Sequence, residues 1–104
     1  MIENGYIKLW RTMTKWRWYK SSDTKAVFLH FLLTANRYDA DFEGTTIHRG
    51  QLVTSRETLS ESLGISQQSV RTAIKRLKST SEITSTSTSK YTIVTVIIVY
   101  TAVS

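Results

Sequence analysis

Cysteine is absent from the 104 residues. That excludes a disulfide framework and removes both thiolate metal ligands and thiol nucleophiles. Glycine occurs only four times, at positions 5, 44, 50 and 64. No two of these lie close enough to build a phosphate-cradling loop, which argues against an ATPase or a helicase. His30 and His48 are the only histidines, without HExxH spacing or cysteine support for zinc, and there is no G-x-S-x-G elbow. Three of the eight carboxylates, Asp39, Asp41 and Glu43, gather in one loop, with no apolar setting that would drive their pKa values apart. No window approaches the roughly 20 apolar residues of a membrane span. The opening MIENGYIKLW also lacks the apolar run of a signal peptide. These absences lead us to expect a soluble, cytoplasmic binding module with no catalytic site, metal or cofactor.

Hydrophobic residues make up 40% of the chain, enough for one small domain with a single core across residues 1–104. Lys and Arg number 14 against 8 Asp and Glu, a formal charge of +6. The excess is uneven: residues 1–36 carry +4, residues 37–65 carry −2 and residues 66–90 carry +4. Two basic stretches around an acidic one are the footprint expected for a phosphate backbone, or more weakly for an anionic membrane surface.

The second basic stretch belongs to the most informative part of the chain, TSRETLSESLGISQQSVRTAIKRLK, residues 54–78. Thr54 with Glu57 three residues on reads as a capping box that opens a helix. Leu59 and Leu63 give that helix an inward stripe, Gly64 ends it, and Ile65 turns into the core. Ser66 caps a second helix whose apolar positions Val70, Ala73, Ile74 and Leu77 follow the helical period. Its other face carries Gln67, Gln68, Arg71, Thr72, Lys75 and Lys78, the amides, hydroxyls and cations that base edges and phosphates need. The spacing predicts a helix-turn-helix over 54–79. Gln67, Gln68, Arg71 and Thr72 are expected to enter the major groove, with Lys75 and Lys78 on phosphate. Arg76 lies toward the edge of the buried stripe. Two helices joined by a Gly turn also occur in proteins that never touch DNA, and a charged outer face is often only a solvated one.

The flanks extend this unit. Residues 1–20 interleave aromatic and basic side chains, and Leu9, Met13 and Trp16 fit one helical face. Such a segment could stack on single-stranded bases, but tryptophans in a small domain more often pack. A helix over 22–36, capped by Ser22 or Asp23, should supply the core stripe Val27, Phe28, Phe31, Leu32 and Ala35. His30 then reads as a partly buried histidine rather than a ligand. Residues 37–50 read as a loop, and their D-x-D-x-E-G start is no calcium site because the twelfth position is Gly50. Gln51–Thr54 reads as a short strand. Residues 82–100 read as a β-hairpin with its tip near 87–89, so that Thr88 and Lys90 form a wing that flanks DNA. The last strand, YTIVTVIIVY, is apolar on both faces after Ile93, so one face needs a cover from the N-terminal segment or another subunit. The expected fold is α+β, mainly α: a winged helix-turn-helix with a small antiparallel β-sheet, in a homo-oligomer.

The runs IKLWRTMTKWRWY, FLHFLLTAN and TIHRGQLVTSRETLSESLGISQQSVRTAIKRLKSTSEI together resemble the N-terminal domain of phage and prophage replisome-organiser proteins. These are replication initiators related to the bacterial primosome protein DnaD. The resemblance covers residues 6–100, and is most specific at 49–55 and 71–80. It implies a winged helix that binds origin DNA in a bacterial host and helps to load the replicative helicase, often through self-assembly. Family members carry a further C-terminal region for DNA or helicase-loader contacts beyond the point where this sequence stops. The resemblance transfers no base-contacting residues. Two other readings fit the same residues: a winged-helix transcriptional regulator, and an oligomerisation scaffold without direct DNA contact.

Overall fold

The computed structural model describes residue 9 and residues 11–97, and its three α-helices all begin in the same way. They are α1 (Ser22–Thr34), α2 (Arg56–Leu63) and α3 (Gln67–Ser79), preceded by Ser21, Ser55 and Ser66 as N-caps. Each cap hydroxyl accepts the N–H three residues on, from Thr24 at 3.4 Å, Thr58 at 3.1 Å and Ser69 at 3.0 Å. Each also donates to the hydroxyl of that same residue, at 2.9, 2.9 and 3.0 Å. A hydroxyl thus stands where the usual box has a carboxylate or amide, while the orphan amide is still satisfied.

The expected caps at two helices are therefore corrected by one residue. Thr54 closes a strand instead, paired opposite Thr92, and is 8% exposed. Ser55 follows in extended backbone and takes the cap, which leaves Glu57 in the first turn without a box to complete. Ser21, rather than Ser22 or Asp23, caps α1, which ends at Thr34. Ser55→Ala should lower stability by about 1 kcal/mol. Its midpoint in urea should fall further than that of Glu57→Gln.

Residues 37–50 are a hairpin and its connections, not a loop. Strands β1 (Ala40–Phe42) and β2 (Thr45–Ile47) pair antiparallel across Glu43 and Gly44, whose φ values of 50° and 82° suit a two-residue primed turn. Ile47 of this hairpin is buried. Three further strands, β3 (Gln51–Thr54), β4 (Ile83–Ser87) and β5 (Thr92–Val96), form an antiparallel sheet in the order β3-β5-β4. The arrangement α1, β3, α2, α3, β4, β5 is a winged helix-turn-helix, with the β1–β2 hairpin inserted after the first helix.

One core joins the layers. Val27, Phe28, Phe31 and Leu32 of α1 pack with Leu59 of α2 and with Val70, Ala73 and Leu77 of α3. The sheet closes it with Leu52, Ile83, Val94 and Val96, which strand alternation puts on one face. On the outer face of β5, Ile93 lies opposite Val53 and Thr95 opposite Gln51. The apolar run continues at Ile97, 40% exposed, and then leaves the described residues; residues 1–8 and 10 of the expected N-terminal segment and 98–100 of the expected hairpin lie outside them.

The N-terminal segment makes a short 3-10 turn, Arg11–Lys15, rather than a helix with a continuous apolar face. Met13 from that turn is buried and Trp16 packs against the core, but Leu9 is 49% exposed.

Candidate nucleic-acid interface

Helix α3 is set by what ends α2. Gly64 takes φ +69°, a conformation glycine adopts without steric cost, and donates its N–H to Ser60 O at 2.9 Å. The Ser60 hydroxyl in turn donates to Ile65 O at 2.6 Å, and Ile65 packs against the core. This fixes the angle at which α3 leaves the turn. Val70, Ala73 and Leu77 then face inward with Ile74 half-buried beside them.

The outward face is the one the periodicity requires. Gln67, Gln68, Arg71, Lys75 and Lys78 are exposed along α3, while Thr72 is half-buried at its border. All six are brought onto one helix, and none is consumed by a hydrogen bond or ion pair among the described residues. Thr72 and Gln68 also border a small polar cleft of about 200 Å³ against the start of α1, shared with Ser21, Asp23, Thr24, Ser69 and Arg76.

The wing is built differently at its two candidate residues. Thr88 Oγ1 accepts the N–H groups of Lys90 and Tyr91, at 3.2 and 3.1 Å, and donates to Tyr91 O at 3.1 Å. Its hydroxyl is engaged in shaping the turn. Lys90 stays exposed beside it. Tyr91 stacks edge-on against Phe42, ring centroids 5.1 Å apart, so the β1–β2 hairpin buttresses the root of the wing.

Two structural clusters escaped sequence reasoning. In the first, the Trp16 indole donates to Glu82 Oε2 at 3.1 Å and the Trp18 indole to Thr80 Oγ1 at 2.9 Å. Thr80 Oγ1 also donates to Glu82 Oε1. Two of the three tryptophans therefore clamp the N-terminal segment to the junction of α3 and β4; Trp10 lies outside the described residues. In the second, the Asp39 carboxyl accepts the Arg49 N–H at 3.0 Å and faces His48 Nδ1 at 3.4 Å. The backbone hydrogen bond from Arg49, then that of His48, holds Asp39 below the ordinary aspartate range. Both side chains are open to solvent, so this pair latches the hairpin rather than forming a reactive centre.

A second cleft of about 370 Å³ opens between α1, the β1–β2 hairpin and β3, lined by His30, Asp41, Phe42, Val53 and Thr58 among others. No group of three or more metal-ligating side chains occurs among the described residues, nor any helix long and apolar enough to cross a membrane. Comparison with protein-family models, characterised proteins and solved structures yields no match for this chain.

Proposed function

We propose that this chain is the DNA-binding domain of a replication-initiation protein of the replisome-organiser, DnaD-like kind. It acts in the cytoplasm of a bacterial host and self-assembles. Helix α3 enters the major groove of duplex DNA, with Gln67, Gln68, Arg71 and Thr72 toward base edges and Lys75 and Lys78 on phosphates. The wing places Lys90 on the flanking backbone, held by the Thr88 turn. Helicase or helicase-loader contacts belong to a region outside this sequence. The observation that carries the reading is the row of exposed amides and cations on the second helix of a helix-turn-helix, beside a wing with an exposed lysine. Five outward donors along about three turns of one helix are the chemistry of base and phosphate recognition.

The first test is fluorescence anisotropy of the chain with random duplex, candidate-origin duplex and single-stranded DNA, at low and near-physiological salt, with mass followed by light scattering. The reading expects tightest binding to origin duplex and a steep salt dependence. A defined oligomer that binds no DNA at low salt would favour the assembly-scaffold reading. Preference for an operator-like duplex over origin DNA would favour a transcriptional regulator. Arg71→Ala should cost about 1–3 kcal/mol on the preferred duplex and relax its base preference. Lys75→Ala should weaken all duplexes alike and flatten the salt slope. Equal effects of the two variants on every sequence would rule out direct readout by Arg71.

A further inference from the structure

Among the described residues, Arg76 is the one cation of α3 whose side chain is committed within the protein. Its Nη1 donates to Ser21 Oγ at 3.0 Å and to Thr24 Oγ1 at 3.4 Å. Its guanidinium carbon lies 5.4 Å from the centre of the Trp18 ring. Trp18 is itself fixed through its indole bond to Thr80, one residue past the end of α3. Thr24 is fully buried, and its hydroxyl has Ser21 and Arg76 as partners. A planar guanidinium that bonds at one edge and stacks on an indole is held in both direction and tilt.

We infer that Arg76 is a positioning residue of the recognition face, which fixes the rotation of α3 about its own axis and takes no phosphate itself. The inference rests on the DNA-binding reading above. The hydrophobic seam of Val70, Ala73 and Leu77 holds α3 against α1 but is non-directional, and small rolls of the helix cost it little. The tie from Arg76 to the N-cap of α1 is directional and lies on the flank of α3. A roll that moved Gln68 and Thr72 toward α1 would compress it, and a roll the other way would break it. The cleft beside Arg76 also holds Asp23, whose carboxylate would repel a phosphate there. Arg71, Lys75 and Lys78 have no such tie among the described residues.

The test compares Arg76→Met and Arg76→Lys with Lys75→Ala in the whole chain. Each is titrated by anisotropy against the best-bound duplex selected from a random library and against a scrambled duplex, over a salt series. Circular dichroism establishes that each variant is folded at the working temperature. Arg76→Met keeps an unbranched stem against Trp18 but loses both hydroxyl bonds. It should narrow the ratio of selected to scrambled binding by about tenfold while the log–log salt slope stays that of the parent chain. Arg76→Lys should recover part of the ratio, because an ammonium reaches a hydroxyl but does not stack as a plane. Lys75→Ala should do the reverse, preserving the ratio and reducing the slope by about 0.9. A slope reduced by that amount in Arg76→Met, with both duplexes weakened equally, would make Arg76 a phosphate contact and overturn the inference. An unchanged ratio in folded Arg76→Met would overturn it too. Failure of the parent chain to bind any duplex would remove the DNA reading and this inference together.

Discussion

Phe31→Ala is expected to lower the unfolding free energy by about 3–5 kcal/mol, a large share of the roughly 5–15 kcal/mol that a domain of this size holds. Phe31 is fully buried on α1, at the level where that helix meets the rest of the core. Truncation removes a large apolar area from the interior and leaves a cavity that a close-packed core refills only in part. Leu33, two residues further along the same helix, is 66% exposed. Leu33→Ala should therefore change stability by less than about 0.5 kcal/mol, although it too deletes only apolar atoms. Urea denaturation followed by circular dichroism separates the two. Similar losses for both variants would mean that α1 does not present the Phe31 face to the core.

The contrast between those two positions was readable in advance, because a helix repeats every 3.6 residues and Val27, Phe28, Phe31 and Leu32 keep that period. The same holds for Val70, Ala73 and Leu77, and their burial is what forces Gln68, Arg71 and Lys75 outward. Gly64 was legible for a related reason, since its place after an apolar-periodic stretch calls for a left-handed residue. The N-cap of α2 reads one residue early because Thr54 and Glu57 have the spacing of a capping box, and α1 offers three adjacent capping residues, Ser21, Ser22 and Asp23. The chain instead uses serine with a hydroxyl three residues on, a pattern present in S-S-D-T, S-R-E-T and S-Q-Q-S alike. The β1–β2 hairpin escapes the pattern because its turn is Glu-Gly rather than Asn-Gly, and its strands are only three residues long. What periodicity could not reach were bonds between residues far apart in the chain. Trp16 with Glu82, and Arg76 with Ser21, join positions whose types alone permit many partners. The fold follows from local patterns, whereas the polar ties that join α3 and β4 to the N-terminal segment and α1 do not.

The second large effect is expected at one of those ties. Glu82→Ala should destabilise the chain by about 1–3 kcal/mol, because it takes the acceptor from the Trp16 indole and leaves the Thr80 hydroxyl only Arg76 O, at 3.2 Å, rather than because it deletes packing. Glu82 is 9% exposed, and its two carboxyl oxygens accept from the Trp16 indole and the Thr80 hydroxyl. Its backbone is used as well, with the N–H donated to Leu77 O at 3.0 Å and the carbonyl accepting from Ile97 at 2.9 Å. Those backbone bonds survive the substitution, so the end of α3 and the start of β4 should stay in place. The loss should fall on the N-terminal segment, which Trp16 and Trp18 secure. Trp16 fluorescence should shift to the red and quench more readily, and amides near Trp16 should exchange faster than those of α3. Glu82→Gln keeps an acceptor for the indole and should retain most of the protection. A loss as large for Glu82→Gln as for Glu82→Ala would show that shape or charge at this position, rather than acceptance of these two bonds, fastens the segment. Faster exchange spread evenly over α1 and α3 would show instead that Glu82 supports the whole core, and the clamp described here would have to be abandoned.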